Sequence, residues 1–200
     1  MADEPKKPLT IGLSGAPGSF SEEAASYYAS KLGLKPEEYV LHYLISAEGV
    51  LSAIEKGDID RGIMPIENSN GGIVIEAVYA MAKHLFEIER MFEIDVHQNL
   101  LVKKGATAES INTITSHDQA IKQCRMYLKR KWPMVELKEY PDTAQAAKDI
   151  AEGVLSPHTA AIASKAAAEL YGLEILEESI QDLKFNFTTF LAVKKFGSKE

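Results

Sequence analysis

Residues 65–72 read PIENSNGG and separate an apolar run from a segment with helical periodicity. The paired glycines let the backbone approach a bound molecule closely, because glycine has no Cβ atom and adopts positive φ readily. Glu67 supplies an acid, and Asn68 and Ser69 supply neutral hydrogen-bond donors and acceptors. An ordinary strand-to-helix turn has a similar composition. The stretch alone therefore leaves a ligand-binding loop and a plain turn as equal interpretations.

The composition bounds the size of the fold and the class of partner. The chain has 200 residues, of which 46% are hydrophobic, so it can bury a sizeable core in one domain or in two small lobes. Its net charge of -7 argues against nucleic acid or an anionic membrane as the main partner. The first eight residues contain no apolar signal core, and no segment has the length of a membrane span. We therefore expect a cytoplasmic protein that binds neither nucleic acid nor membrane.

The cysteine and histidine residues predict no metal site. Cys124 is the only cysteine, which excludes an internal disulfide and a thiolate cluster. Its place on an apolar helical face predicts a buried structural thiol and not a nucleophile. The five histidines show no spacing typical of metal ligands.

Strands and capped helices alternate along the chain. Residues 9–13 read as a buried strand, residues 14–18 as a turn, and Ser19 with Glu22 as the capping box of a helix. Further strands and helices follow, and the segment after Gly72 is expected to bury Ile75, Val78, Tyr79 and Ala82. The order β-α-β-α-β-α favours a parallel sheet, and the second half repeats it.

We therefore predict an α/β fold with two lobes and a ligand cleft between them. The whole chain, 1–200, would form one domain. Lobe 1 is expected to cover about 8–92 together with a returning segment at about 177–196, and lobe 2 to cover about 93–176. Apolar and acidic residues alternate over 88–96, which predicts a long strand that leads from one lobe to the other.

Polar residues recur at the ends of the predicted strands, where helix N-termini converge and ligands of open α/β sheets bind. The candidate segments are 14–19, 67–69, 116–123 and 142–143. Ser116 and Gln119 have the spacing of a second capping box, and Gln119 and Gln123 share a helical face. Each feature alone is typical of a cap or a solvated polar residue, but their recurrence at one position of the fold favours a shared pocket.

The motifs resemble those of the prephenate dehydratase family, in matching order from about Leu9 to about Val193. They are GAPGSFSEEAA at 15–25, PIENS at 65–69, SHDQA at 116–120 with Gln123 and Cys124, AAIAS at 160–164, YGL at 171–173, IQD at 180–182 and NFTTF at 186–190. The resemblance implies a two-lobed fold like that of type II periplasmic binding proteins. It also implies conversion of prephenate to phenylpyruvate, water and carbon dioxide in phenylalanine biosynthesis, without a cofactor.

The resemblance also implies roles for individual residues. The catalytic residues would be Thr188, Glu67, Asn68 and Gln123. The substrate-binding residues would be Gly18, Ser19, Ser69, Ser116, His117, Thr143, Thr189 and Phe190. The family has an arginine where this chain has Thr189, so a bidentate cation is missing from a site expected to hold a dicarboxylate. Lys184 lies nearby in the sequence as a less rigid substitute.

The reaction forms an aromatic ring, so the free energy that drives it comes from the substrate and not from the protein. A threonine hydroxyl is a poor acid, and Thr188 is therefore best interpreted as an oriented hydrogen-bond donor. Glu67 would be the acid if burial raises its pKa; as a structural carboxylate that accepts backbone N–H bonds it would have a lowered pKa. The sequence leaves these two roles for Glu67 open.

Three functions remain open from the sequence. The first is a dehydratase for prephenate, or also for arogenate, in which an amino group replaces the side-chain keto group. The second is a related enzyme such as a non-aromatising decarboxylase, and the third is a small-molecule binding module without turnover. The resemblance further implies a homodimer or tetramer. The chain has room for neither an ACT domain nor a chorismate mutase, so we expect no phenylalanine feedback through it.

Overall fold

The structure, a computed structural model, describes residues 7–198. Of the first eight residues, which were expected to hold no apolar signal core, residues 1–6 lie outside the described part of the chain. The strands are β1 (Leu9–Leu13), β2 (Tyr39–Tyr43), β3 (Arg61–Asn68), β4 (Gly72–Ile73), β5 (Phe86–Asp95), β6 (Asn99–Val102), β7 (Thr113–Ser116), β8 (Glu136–Glu139), β9 (Thr159–Ala163), β10 (Glu174–Glu177) and β11 (Phe187–Lys195). The α-helices are α1 (Phe20–Lys31), α2 (Ala47–Lys56), α3 (Ile75–Met81), α4 (Asp118–Gln123), α5 (Arg125–Lys131), α6 (Thr143–Ala151) and α7 (Lys165–Tyr171).

The strands form two separate sheets, as expected for two lobes. The first sheet has the order β2-β1-β3-β11-β5, with β4 paired to β3, and the second has the order β10-β6-β9-β7-β8. In the first sheet β1 is parallel to β2 and β3, whereas β11 is antiparallel to β3 and β5. The prediction of parallel strands is thus correct for β1, β2 and β3, and in the second sheet β7 is likewise parallel to β8 and β9. The returning strand β11 enters the sheet beside β3 and reverses the direction there.

The chain passes between the sheets at two places that lie side by side. One crossing, residues 96–98, joins β5 to β6, and the other, residues 178–186, joins β10 to β11. Val96 N–H donates to the Asn186 carbonyl over 2.8 Å, and Ile180 N–H donates to the Gln98 carbonyl over 2.8 Å. The expected long strand is β5, which stays in the first sheet as far as Asp95. The first sheet thus extends to Asp95 and resumes at Phe187, whereas the sequence placed these boundaries at about 92 and about 177.

Each sheet is covered by helices on both faces. In α2 the residues Val50, Leu51 and Ile54 lie on one face and are fully buried against the first sheet. Helix α1 covers the opposite face through Ala25 and Tyr28. In the second sheet α6 and α7 cover one face, and α4 and α5 cover the other. The apolar periodicity of the helices thus gives four small cores, two for each lobe.

Two helical predictions are wrong. The buried face of α3 carries Ala77 and Ala80, whereas Val78 and Tyr79 are exposed. Small residues allow α3 to pack closely on α2, so its larger residues point outward. The helix predicted after Ser116 is interrupted at Cys124, which separates α4 from α5.

Cys124 itself is fully buried in the core of the second lobe, as predicted. Burial raises the pKa of its thiol, so the thiol stays protonated and unreactive at neutral pH. Within the described residues, no helix has the length and apolar character needed to span a membrane.

His84 connects the segment after α3 to α2 through two carboxylates. Its Nδ1 lies 2.7 Å from Glu55 Oε2, and its Nε2 lies 2.9 Å from Glu48 Oε1. Only the imidazolium has two N–H groups, so only the charged ring can donate to both carboxylates. The hydrogen bonds from Glu55 and then Glu48 raise the pKa of His84.

This arrangement predicts a pH-dependent contribution to stability. Because the pKa is raised in the folded state, the contribution is complete below about pH 6.5, the pKa of an unfolded histidine, and disappears as the pH rises through the folded pKa. We expect His84→Gln to lower Tm by about 1–4 °C at pH 5.5 and by much less at pH 9.

Thermal unfolding followed by circular dichroism at the two pH values measures this difference. His42→Gln, which changes an exposed histidine of β2, is the matched control. Equal losses for His84→Gln at both pH values would show that the charge on His84 contributes nothing.

Candidate active site

A cleft with a volume of about 290 Å³ lies between the two lobes, near the small end of the range typical of small-molecule sites. Its walls come from both sheets and from the crossings. The polar residues that line it are Ser14, Ser19, Ser21, Ser46, Asn68, Glu76, Gln98, His117, Gln119, Gln123, Asp142, Thr143 and Thr188. Phe20, Ile45, Pro65, Val74, Val96 and Phe190 are among its apolar residues.

The structure brings seven of the twelve predicted site residues to this cleft. They are Ser19, Asn68, His117, Gln123, Thr143, Thr188 and Phe190. The other five predicted residues do not line it. They are Gly18, Glu67, Ser69, Ser116 and Thr189.

The alternation of β11 explains which of its residues face the cleft. Successive side chains of a strand point to opposite faces, so Thr188 faces the cleft and Thr189 faces away. A register shift between Thr189 and Phe190 accompanies the approach of Phe190 to the cleft. Thr189 instead donates its hydroxyl to Glu67 Oε2 over 3.2 Å. The missing arginine therefore removes no cation from the cleft wall.

Glu67 is exposed and shares the outer face of the sheet with Thr189. Of the two roles left open for Glu67, the acid role requires burial, which the structure does not show, because strand alternation directs Glu67 away from the cleft while its neighbour Asn68 points inward. Lys184 is also outside the cleft, and its ammonium lies 5.7 Å from the ring centre of Phe185.

The remaining three residues have structural contacts. Gly18 N–H donates to Glu22 Oε2 over 2.6 Å, and the positive φ of Gly18 lets the turn lie directly against α7. Ser69 Oγ accepts the backbone N–H of Phe187. Ser116 ends β7 and donates its hydroxyl to the Ile162 carbonyl over 2.6 Å. The cap of α4 is His117 and not Ser116, since His117 Nδ1 accepts the Gln119 N–H.

Asn68 holds the Thr188 hydroxyl in a defined direction. Asn68 Oδ1 accepts two backbone N–H groups, from Asn70 over 2.9 Å and from Gly71 over 2.7 Å. These donors fix the amide orientation, so Nδ2 is the group that lies 2.8 Å from Thr188 Oγ1. Thr188 Oγ1 accepts this bond. Its own hydroxyl proton is thereby available for a molecule in the cleft.

Two further buried amides complete the polar wall and were not predicted as site residues. Gln98 is 2% exposed and lines the cleft, and Asn186 is fully buried behind it. Both donate to Gln123 Oε1 over 2.8 Å. Nothing in the local sequence around Gln98 signals this contact. Ser46, in contrast, follows a strand and caps α2, so the rule that found Ser19 also identifies it.

The charges around the cleft are unusual for a site that holds carboxylates. Among the described residues that line it there is no lysine or arginine, whereas Glu76 and Asp142 are acidic. His117 Nε2 lies 3.7 Å from Glu76 Oε1, which connects the two lobes at the cleft. The positive electrostatic contribution comes from the N-termini of α1, α2 and α6, whose caps Ser19, Ser46 and Asp142 all line the cleft.

The loop after β3 closes one side of the cleft by contacting the other lobe. A Cβ atom on Gly71 would overlap Gln119 Oε1, so the end of this side chain of α4 packs directly on the glycine. Val74, at the N-terminus of α3, lines the cleft beside this loop. The PIENSNGG stretch therefore contributes Pro65 and Asn68 to the lining of the cleft, and ligand binding by this stretch stays a prediction.

Comparison with known sequences identifies the family. The family model described as prephenate dehydratase matches residues 11–197. Arogenate dehydratase 5, chloroplastic, from Arabidopsis thaliana is 34% identical over 188 residues, which are 94% of this chain and 42% of the relative. The bifunctional chorismate mutase/prephenate dehydratase of Stutzerimonas stutzeri is 32% identical over 98% of this chain and 50% of the relative. The chain thus spans about half the length of these relatives.

Solved structures support the same assignment. The prephenate dehydratase from Arthrobacter aurescens, solved in complex with L-Phe, has a TM-score of 0.81 and 25% identity, over 95% of this chain and 61% of that chain. A periplasmic substrate-binding protein from Coxiella burnetii has a TM-score of 0.50 at 14% identity, over 92% of this chain and 84% of that chain, which confirms the two-lobed fold. This chain belongs to the prephenate dehydratase family.

Proposed function

We propose that this chain catalyses the decarboxylative dehydration of prephenate to phenylpyruvate, a step toward phenylalanine. The observation that carries the proposal is the orientation of Thr188. Because Asn68 donates to Thr188 Oγ1, the hydroxyl proton of Thr188 is left for a ligand in the cleft. The match of the family model over residues 11–197 supports the same reaction.

The chemistry asks the protein for positioning more than for a strong acid. The bond between the ring and its carboxylate breaks, carbon dioxide leaves, and the electron pair enters the new aromatic ring. The bond between the opposite ring carbon and its hydroxyl oxygen breaks, and this oxygen takes up one proton from solution and leaves as water. A donor aimed at the departing oxygen stabilises the negative charge that develops on it. Thr188 is placed for this role.

The carboxylates of the substrate are held without a fixed cation. Helix N-termini offer backbone N–H groups and a positive potential, and those of α1, α2 and α6 converge on the cleft. Phe190 and Phe20 supply apolar surface for the ring. The ring carboxylate, once surrounded by apolar and neutral groups, gains less from solvation, which favours its loss as carbon dioxide.

The two threonines of β11 provide a matched test of this mechanism. Thr188→Val removes the donor that faces the cleft with little change in volume, and we expect it to lower kcat by ~10²–10⁴. Thr189→Val removes a hydroxyl that points away from the cleft and contacts Glu67, so it should leave kcat within about threefold. Phenylpyruvate formation from prephenate measures both.

Thr188→Ser serves as the conservative control, since it keeps the hydroxyl at the same position. It should retain far more activity than Thr188→Val. Equal effects at the two threonines, or a larger effect at Thr189, would contradict the assigned orientation of β11.

A second substrate, arogenate, is favoured by the acceptors in the cleft. Arogenate has an ammonium group where prephenate has a keto group. The acidic side chains of Glu76 and Asp142 line the cleft, and Gln98 Oε1 is buried there without a hydrogen-bond partner among the described residues. Carboxylates and an unpartnered amide oxygen suit a cation. The similarity to a chloroplastic arogenate dehydratase agrees with this second candidate.

Asp142→Asn tests the contribution of the negative charge. Asparagine keeps the oxygen that accepts the Gln145 N–H over 2.8 Å, so the cap of α6 is retained. We expect the variant to lower kcat/KM for arogenate relative to prephenate by about tenfold, the effect of ~1.4 kcal/mol. An unchanged ratio would exclude Asp142 as an ammonium contact.

No product from either substrate with the unmodified protein, combined with measurable binding, would favour a binding module.

We also propose that the protein acts in the cytoplasm as a homodimer or tetramer. The edge strand β5 supports an assembly, because it exposes Ile88 and Met91 beside unpaired backbone groups. Light scattering coupled to size-exclusion chromatography should give at least twice the monomer mass of 22.0 kDa. A monomer at all concentrations would contradict the proposal.

A further inference from the structure

Four buried amide side chains form a continuous hydrogen-bonded cluster behind the cleft. We name it the amide cluster, and it consists of Asn68, Gln98, Gln123 and Asn186. Each is at most 5% exposed. Asn68 belongs to the first sheet, Gln123 to α4 of the second lobe, and Gln98 and Asn186 to the two crossings. The cluster therefore spans the junction of the lobes.

The orientation of Asn186 is fixed by a group that can only accept. Asn186 Nδ2 lies 2.9 Å from the Val96 carbonyl oxygen, so this end of the amide is the donor. Asn186 Oδ1 then accepts from Asn68 Nδ2 over 2.8 Å and from Asn70 Nδ2 over 3.1 Å. All polar positions of the Asn186 amide are used.

The second proton of Asn186 determines the orientation of Gln123. It is donated to Gln123 Oε1 over 2.8 Å, and Gln98 Nε2 donates to the same oxygen over 2.8 Å. A reversed Gln123 amide would place its N–H groups against two other N–H donors. Gln123 Oε1 therefore faces the cluster, and Gln123 Nε2 is directed to the cleft that Gln123 lines.

We propose that Asn186 and Gln98 are positioning residues, which keep Oε1 of Gln123 turned away from the cleft and thereby direct its two N–H groups at an oxygen of the bound substrate. This inference rests on the proposed dehydratase function and deepens it. Thr188 and Gln123 then both face the substrate as donors. Such a wall suits carboxylate oxygens and a departing hydroxyl, since each is an acceptor that carries or gains negative charge.

The first test replaces the donor of Asn186 by an acceptor. Asn186→Asp has nearly the same shape and keeps an oxygen for Asn68, but it cannot donate to Gln123 or Val96. We expect the Gln123 amide to rotate and kcat to fall by ~10², the effect of losing one preorganised donor. Asn99→Asp is the matched control, because Asn99 is a buried amide near the same crossing that donates only to the His97 and Ala163 carbonyls. It should lower stability comparably and keep kcat within threefold.

The second test uses pH to switch the donor at position 98. In Gln98→Glu a protonated carboxyl can still donate its O–H to Gln123 Oε1, whereas an ionised one cannot. Activity of the variant should therefore fall as the pH rises through the pKa of the new carboxyl. The unmodified protein and Asn99→Asp should lack this decline. Circular dichroism at each pH establishes that the variant remains folded, which separates positioning from a purely structural role.

A third measurement is independent of turnover. In ¹⁵N-labelled protein the Gln123 side-chain N–H₂ signals, assigned by their loss in Gln123→Met, should exchange rapidly with water because they face the cleft. In Asn186→Asp they should become protected.

If the unmodified protein turns over neither prephenate nor arogenate, the proposed function fails, and this measurement still decides the positioning role. Unchanged exchange in Asn186→Asp, or equal kcat losses in Asn186→Asp and Asn99→Asp, would overturn it.

Discussion

The buried hydrogen bonds of Asn186 are the constraint on which the arrangement of the site depends. Within residues 7–198 the two lobes are joined by two crossings, residues 96–98 and 178–186, and Asn186 connects one crossing to the other and both to the cleft wall. A buried donor or acceptor that loses its partner costs about 1–3 kcal/mol. Because every donor and acceptor of this amide is engaged, one arrangement of its neighbours is strongly preferred. The bonds that connect the lobes are also the bonds that orient the groups facing the ligand.

The cleft differs from a carboxylate site built on cationic side chains. A lysine or arginine would bind a carboxylate through a flexible charged chain, but the described lining has neither. Helix N-termini, hydroxyls and amides provide weaker individual interactions that are fixed by the backbone and by buried partners. Such groups change little when a ligand binds. The acidic side chains of Glu76 and Asp142 line the same cleft, and His117 Nε2 lies 3.7 Å from Glu76 Oε1.

Much of this organisation can be derived from the sequence, and the limits have physical causes. The periodicity of apolar residues and the helix caps predicted two lobes and the segments that meet at the cleft. These features depend on residues that are close together in the sequence. Strand alternation also places Thr188 and Thr189 on opposite faces of the sheet, and likewise Asn68 and Glu67. Assigning a whole motif to the site overlooks this difference between neighbouring residues. The contacts of Gln98 and Ser116 join residues far apart in the chain, and their side-chain partners depend on packing that no local pattern encodes. The antiparallel entry of β11 beside β3 is likewise a property of the returning chain.

The buried thiol of Cys124 has a consequence for following the motions of this protein. It is the single cysteine of the chain, it lies in the core of the second lobe between α4 and α5, and burial keeps it protonated. An alkylating reagent can therefore reach a thiolate only when that core opens. The labelling rate, compared with that of a small free thiol, gives the equilibrium constant for opening of the second lobe when closing is faster than labelling. The first lobe contains no cysteine, so labelling of the native chain measures the local stability of the second lobe alone.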